Sequence, residues 1–312
     1  MKIGVQTGGL EERFGIEGTY QIVKEAGFDA VDVNLDHLFA GHDIRKHLRS
    51  PLMDGPEDEL LKACDVWRDA ALKYGIDNYQ AHAPFPSVLP PDPEFPDYNA
   101  YILEALKKTI KCCAYIGCKK LVVHPFYYKL PDTLEASEEF EMNVRSYSAL
   151  AETAKEHGVM VLLENMFSTY KGKPYAACCS DIHYAETLID TLNGLAGGKV
   201  FGFCLDTGHL LLCSHDALAV MRRLGDRIEA FHVHDNNGEK DQHIAPYMGI
   251  ADWNRFIRGL AEIGYDKTLS FETFHVCDLF DDELIPDVLR LIERTGRMFA
   301  RRASELRSEM LK

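Results

Sequence analysis

The chain has 312 residues, of which 46% are hydrophobic, and its 49 acidic and 34 basic residues give a formal net charge of −15. This excess of acid excludes a broad electrostatic grip on nucleic acid or on an anionic membrane, because both require a basic face. The first residues lack a secretory signal pattern, and no segment has roughly 18 uninterrupted apolar residues, so we expect a cytoplasmic protein without a membrane partner.

Short runs of β-branched and apolar residues recur along the chain and predict eight strands. In chain order they cover 2–7, 30–35, 78–83, 120–125, 159–165, 200–206, 228–234 and 268–273. Stretches with helical spacing lie between them, at 18–27, 58–75, 99–117, 143–158 and 252–264, and 293–312 predict a closing helix. This alternation predicts an α/β fold, and its length favours one (β/α)8 TIM barrel domain over residues 1–312.

Glycines stand where most of these helices should end, because glycine readily adopts the left-handed conformation that closes a helix. They are Gly27, Gly75, Gly117, Gly158, Gly198, Gly225 and Gly264. No strand is followed by a GxGxxG or GxxxxGK[ST] pattern, so a nucleotide-binding sheet lacks its usual support.

Histidines and carboxylates end the predicted strands from the third to the eighth. The carboxyl ends of barrel strands meet at one rim, where barrel enzymes place their catalytic groups. Without a cation, the crowded carboxylates would repel one another in a poorly hydrated pocket. Mixed nitrogen and oxygen ligands suit manganese, zinc, cobalt or iron(II), so we predict a divalent metal ion at this rim. The strand-end residues are His82, His124, Glu164, Asp206 with His209, His232 with His234, and Glu272.

The spacing leaves one ligand open. His232 and His234 are two residues apart on one strand and face the same way, so spacing alone does not say which binds the metal.

Two further features surround the predicted rim. The proline-rich stretch 86–98 follows the third strand and would overhang the mouth of the barrel, as a lid or as a surface for a partner. Several aromatic residues lie near the predicted loop starts, where they could stack on a sugar, although each is more often a core residue: Phe85, Phe126, Tyr127, Tyr128, Phe167 and Trp253.

An ordered set of motifs resembles the xylose isomerase-like barrel superfamily over nearly the whole chain. That superfamily includes ketohexose 3-epimerases, inosose-handling enzymes, hydroxypyruvate isomerase and endonuclease IV. The motifs are AHAPF (81–85), VVHPF (122–126), LLEN (162–165), CLDTGH (204–209), HVHDN (232–236), DQH (241–243) and FET (271–273).

Resemblance to the isomerase and epimerase branch implies one metal ion, bound by Glu164, Asp206, His232 and Glu272. Manganese is the expected metal, with zinc, cobalt or magnesium as alternatives. The same resemblance implies an isomerase or epimerase that forms an enediolate on a ketose, inosose or keto-sugar, with Glu164 and Glu272 as the catalytic acid and base. A lyase acting on a 3-keto-sugar would share these residues. Gly238 stands where ketohexose epimerases have a basic residue. The expected substrate contacts are His82, His124, His209, His234 and His243.

Endonuclease IV, a phosphodiesterase acting on abasic DNA, is the alternative within the same superfamily. The resemblance implies three zinc ions there, with ligands at His82, His124, Glu164, Asp206, His209, His232, Asp241, His243 and Glu272. The loops after the first, third and sixth strands are acidic or apolar, which disfavours a grip on duplex DNA. A barrel that binds a ligand without catalysis, and a homo-oligomer, are further possibilities.

Overall fold

Eight parallel strands close into a barrel in the computed structural model, which describes residues 1–312. This confirms the predicted (β/α)8 fold and every predicted strand. An antiparallel hairpin of β6 and β7, which the sequence pattern did not predict, follows β5. The strands are β1 Lys2–Gln6, β2 Ala30–Asn34, β3 Asp77–His82, β4 Lys120–Val122, β5 Met160–Glu164, β6 Phe167–Tyr170, β7 Lys173–Ala176, β8 Phe201–Asp206, β9 Ile228–Val233 and β10 Thr268–Phe271.

The helices surround the barrel, and two of the predicted helices are each divided into two. The predicted helix 58–75 is interrupted at Cys64, and the predicted helix 143–158 is divided after Ser148. The helices are α1 Leu10–Ala26, α2 Gly41–Arg45, α3 Pro51–Asp54, α4 Glu57–Ala63, α5 Asp65–Tyr74, α6 Tyr98–Tyr115, α7 Ala136–Ser148, α8 Ala151–His157, α9 Ile182–Ala196, α10 Thr207–Leu212, α11 Ala217–Leu224, α12 Trp253–Ile263 and α13 Ile285–Met310.

The end of α9 differs from its prediction. Six of the seven predicted helix-end glycines have positive φ, but Gly198 does not. Gly197 closes α9 instead, with φ 67° and ψ 28°. The left-handed position therefore falls one residue earlier than predicted.

A layer of apolar side chains inside the barrel supports the polar rim. Val122, Leu162, Cys204 and Ala230 form one fully buried cluster from β4, β5, β8 and β9. Successive side chains on a strand point to opposite faces, so the residue two positions further along each strand points the same way. These residues are His124, Glu164, Asp206 and His232, which places them one layer above the apolar floor.

The aromatic residues near the loop starts divide between the core and the mouth of the barrel. Phe126 and Trp253 are 2% and 3% exposed and belong to the main hydrophobic core, so neither is free to stack on a ligand. The first part of the proline-rich stretch lies at the mouth, as expected. No helix combines the length and the apolar content that a membrane span requires.

Candidate metal centre

Three groups of potential metal ligands converge at the carboxyl ends of the strands. Within each group, the ligand atoms lie within 4.8 Å of one another. Glu164 belongs to two of the groups and therefore links them. The groups are Glu164, Asp206, His232 and Glu272; His82, His124 and Glu164; and His209, His234, Asp241 and His243.

The central group contains the four ligands that the resemblance implies. His232 Nδ1 lies 2.8 Å from Glu164 Oε1 and 3.6 Å from Glu272 Oε2. Asp206 ends β8 and also caps α10, where its Oδ1 accepts the backbone N–H of His209 at 2.6 Å. All four side chains are buried. Their mixed imidazole and carboxylate atoms match the donor set expected for a divalent transition metal.

The structure separates the two histidines that spacing could not distinguish. His232 joins the central group, whereas His234 joins the group of His209, Asp241 and His243. His234 Nε2 lies 3.0 Å from both carboxylate oxygens of Asp206, and its Nδ1 is buried without a hydrogen-bond partner.

His82 and His124 form the second group with Glu164. Their Nε2 atoms lie only 3.0 Å apart, and His124 Nε2 lies 3.2 Å from Glu164 Oε2. His82 Nδ1 donates a hydrogen bond to the carbonyl oxygen of Ala83 at 2.9 Å, which leaves the Nε2 lone pair facing the group. Burial, with His124 beside it, lowers the pKa of His82 to about 3, so this imidazole is neutral and able to ligate a metal.

The third group depends on the loop that follows β9. His243 Nε2 lies 2.8 Å from Asp241 Oδ2, and His209 Nε2 lies 3.6 Å from the same oxygen. Asp235 holds this loop in place, because its carboxylate accepts hydrogen bonds from the backbone of Tyr247 and Ala251 and from the Trp253 indole. The group is thus assembled on an anchored loop.

The two buried glutamates of the central group have opposite pKa shifts. Burial raises the pKa of Glu272 well above its usual range. Burial also acts to raise the pKa of Glu164, but His232 and His124 outweigh it, and the pKa falls well below its usual range. The neighbouring imidazoles therefore distinguish two carboxylates of the same residue type.

Three polar residues behind the ligands were not among the predicted site residues. Asp32 Oδ2 lies 3.0 Å from His232 Nε2 and accepts a hydrogen bond from Gln80 Nε2 at 2.8 Å. Gln6 Nε2 donates to Glu272 Oε1 at 2.7 Å. The sequence does contain a signal for Asp32, because it is a carboxylate inside the apolar strand AVDVN. A buried charge requires a polar partner, so this position indicates a contact with other polar groups.

A cavity of 760 Å³ opens above these groups. Four of the five histidines expected to contact substrate line it, namely His82, His124, His209 and His243, whereas His234 is fully buried and does not. The aromatic side chains that line the cavity are Phe85, Tyr127, Tyr128, Phe167 and Phe274. The proline-rich loop contributes Pro86, Ser87, Val88, Leu89 and Pro90 to the same lining.

Comparison with known protein sequences relates the chain to one family and to relatives of broadly similar length. The sequence model of the xylose isomerase-like TIM barrel family matches residues 20–295. The uncharacterized protein y4fM of Sinorhizobium fredii is 27% identical over 277 residues, which cover 83% of this chain and 81% of that protein. The uncharacterized protein MJ1311 of Methanocaldococcus jannaschii is 27% identical over 214 residues, which cover 68% of this chain and 70% of that protein.

Solved structures share the barrel fold at low sequence identity. A D-tagatose 3-epimerase-like protein has a TM-score of 0.67 at 21% identity, covering 95% of this chain and 99% of its own. The 3-keto-D-glucoside 4-epimerase of E. coli has a TM-score of 0.65 at 16% identity, with the same coverage of 95% and 99%. An IOLI protein with a bound zinc atom has a TM-score of 0.66 at 16% identity, covering 98% of this chain and 99% of its own.

Proposed function

We propose that this chain, which belongs to the xylose isomerase-like TIM barrel family, is a divalent-metal-dependent isomerase or epimerase of a ketose, an inosose or a keto-sugar. The observation that carries the proposal is the group of Glu164, Asp206, His232 and Glu272 at the base of a 760 Å³ cavity. A cavity of this size suits a small molecule. The sugar epimerases among the structural neighbours support the substrate class.

The residues present fit a divalent ion. Glu164 Oε2 is buried, and its one close polar neighbour, His124 Nε2 at 3.2 Å, lies outside hydrogen-bond geometry. A buried carboxylate oxygen in this state is costly unless a cation neutralises it. Glu164, Asp206, His232 and Glu272 would hold the ion, for which we propose manganese first and zinc, cobalt or magnesium as alternatives. When bound, such an ion acts as a Lewis acid that stabilises negative charge on substrate oxygens.

Glu164 and Glu272 are the residues to which we assign proton transfer. Their carboxylates approach His232 Nδ1 from two directions, at 2.8 and 3.6 Å. Gln6 holds Oε1 of Glu272 by a hydrogen bond, which leaves Oε2 to carry a proton. If one glutamate removes a proton from carbon and keeps it, while the other, already protonated, donates its own proton to the opposite face, the reaction is an epimerisation. Transfer between neighbouring carbons gives an isomerisation, and loss of a β-substituent gives the lyase reaction.

The histidines that line the cavity are the proposed substrate contacts. His82, His124, His209 and His243 surround the space above the glutamates. His234 lies outside the cavity lining, so we assign it to the third ligand group instead.

The decisive experiment is a solvent-deuterium exchange screen with added manganese over ketoses, inososes and 3-keto-glycosides. We expect deuterium at one carbon of one substrate class. Glu164→Gln and Glu272→Gln should each slow this exchange by about 10²- to 10⁴-fold, since each removes a proton-transferring group. Glu186→Gln on α9 is the control, because Glu186 lies outside the cavity and pairs with Arg223. Absence of exchange with every sugar, together with unchanged metal and ligand affinity in Glu164→Gln, would instead support a non-catalytic binding protein.

The three ligand groups favour a second candidate, a phosphodiesterase acting on abasic DNA. The nine residues that match the three-zinc pattern of endonuclease IV all fall within these groups. The net charge of −15 argues against this candidate, because a grip on duplex DNA relies on basic residues that contact phosphates.

Counting metal ions separates the two candidates. We expect one manganese-like ion per chain by elemental analysis of protein purified without chelators, and no cleavage of a duplex that contains an abasic site. Three zinc ions per chain together with cleavage of that duplex would replace the sugar isomerase proposal with the phosphodiesterase.

A further inference from the structure

Two basic side chains reach the cavity without a carboxylate partner. Arg45 and Lys129 are the only lysine or arginine residues among its lining residues. Arg45 lies at the end of α2 in the loop that follows β2, and Lys129 lies in the loop between β4 and α7. Neither takes part in the ion pairs that engage most of the other arginines of this acidic chain.

The position of Arg45 relates this basic pair to the candidate metal centre. The Arg45 guanidinium lies 5.9 Å from the centre of the Phe85 ring. The same ring lies 5.4 Å from the His82 ring and 4.8 Å from the His124 ring. One aromatic side chain, Phe85, thus lies between the guanidinium and the His82 and His124 rings.

The two basic groups repel each other in this setting. Lys129 is an exposed residue at the cavity mouth. The cavity wall partly covers its ammonium group, and this burial, together with the charge of Arg45, lowers the pKa of Lys129. Asp36 and Asp132 also line the cavity, but neither forms an ion pair with Arg45 or Lys129. Burial raises the pKa of Asp36 to about 7, against the attraction of His37 and Arg45, so Asp36 offers Arg45 only part of a negative charge near neutral pH. Arg45 and Lys129 are both exposed at the mouth, so water screens most of their repulsion, and a ligand anion bound between them would offset the remainder.

We infer that the substrate carries an anionic group, a carboxylate or a phosphate monoester, and that Arg45 and Lys129 bind this group while the rest of the sugar reaches the ligand groups. The inference rests on the proposed function and narrows its substrate class to acidic sugars. The planar guanidinium of Arg45 can donate two parallel hydrogen bonds to either anion, and Lys129 adds a second positive charge.

The test compares three probes by isothermal titration calorimetry on the manganese-loaded protein. D-Fructose is the neutral probe, 5-keto-D-gluconate the carboxylate probe and D-fructose 6-phosphate the phosphate probe. We expect one or both anionic probes to bind more tightly than D-fructose, and more weakly as sodium chloride is raised. Arg45→Gln and Lys129→Gln should each lower the affinity ratio of anionic to neutral probe about tenfold, because each removes one charged hydrogen-bond donor.

Lys46→Gln and Lys171→Gln are the matched controls. Lys46 directly follows Arg45, Lys171 lies in the turn between β6 and β7, and both lysines are exposed and do not line the cavity. A preference for 5-keto-D-gluconate alone identifies a carboxylate, and a preference for D-fructose 6-phosphate alone identifies a phosphate. The inference is overturned if neither anion binds more tightly than D-fructose, or if the ratio is unchanged in Arg45→Gln and Lys129→Gln. Failure of the proposed function is a separate result, namely no deuterium exchange with any sugar.

Discussion

Asp32 acts on the candidate metal centre from behind a ligand. Its carboxylate faces His232 Nε2 at 3.0 Å, and Gln80 holds the same oxygen at 2.8 Å. A carboxylate on one imidazole nitrogen fixes the proton there and directs the other nitrogen's lone pair to the metal. His232 therefore presents Nδ1, rather than Nε2, to Glu164 and Glu272.

Asp36 gives a prediction about pH. Burial raises its pKa to about 7, against the opposing effects of His37 and Arg45. In the unfolded chain an aspartate has a pKa of about 4, so the folded state holds this proton to a higher pH. Stability due to the protonated form is complete below about pH 4 and is lost as the pH rises through about 7. Relative to Asp36→Asn, the native chain should thus lose stability over this window.

The measurement is the melting temperature of the native chain and of Asp36→Asn from pH 4 to pH 8. We expect the advantage of the variant to grow up to about pH 7 and then level off. Asp132→Asn removes an exposed carboxylate from the same cavity mouth and serves as the control. A difference between the native chain and Asp36→Asn that does not change with pH would contradict this account.

Among the helices, α13 packs against the barrel through a close approach at Gly296. A Cβ atom at this position would lie 2.7 Å from both Ile3 Cγ2 and Phe271 Cε2. These side chains belong to β1 and β10, the pair that closes the barrel. The space that a side chain would occupy is therefore already filled by the strands.

Two helical glycines give a matched prediction. Gly296→Ala should destabilise the fold by about 1–3 kcal/mol, because the added methyl group forces α13 away from β1 and β10. Gly194 on α9 has no atom within 4 Å of the equivalent position. Gly194→Ala should therefore be neutral or stabilise by up to about 1 kcal/mol, through the lower entropy of the unfolded chain. Urea unfolding measures both, and equal effects would refute the packing argument.

The two ends of the barrel differ in their charged groups: histidines and carboxylates cluster at the carboxyl ends of the strands, and a lysine cluster surrounds one glutamate at the amino ends. Opposite the ligand groups, the buried carboxylate of Glu229 lies 2.6 Å from Lys199, 2.7 Å from Lys267 and 3.3 Å from Lys120. The lysines outweigh burial and lower the pKa of Glu229. Gly202 makes room for this side chain, because a Cβ there would lie 2.6 Å from Glu229 Cγ.

Glu229→Gln should therefore affect stability and leave the candidate metal centre unchanged. We expect a loss of about 2 kcal/mol, less than for a fully buried ion pair because Lys199 is half exposed. Metal content should not change, since residues at the amino-terminal end of the strands contribute to stability rather than chemistry. Glu186→Gln, whose partner Arg223 is 54% exposed, should cost less than about 1 kcal/mol. Loss of bound metal in Glu229→Gln would show that the two ends are coupled.

The barrel and the location of its polar rim follow from the amino-acid sequence alone. Strand and helix periodicities are local properties, and parallel strands in a closed sheet must end at the same rim. The strand pattern was therefore sufficient to place Glu164, Asp206 and Glu272 together.

The grouping of these polar residues, in contrast, depends on the tertiary fold. His232 lies on β9 and His234 directly follows the strand, only two residues away, yet their tertiary contacts place them in separate groups. Asp32 lies 200 residues before His232, so its contact depends on closure of the barrel across the chain. The burial of Phe126 and Trp253, and the meeting of Arg45 and Lys129 at one cavity, depend in the same way on packing and loop paths, which local spacing does not specify.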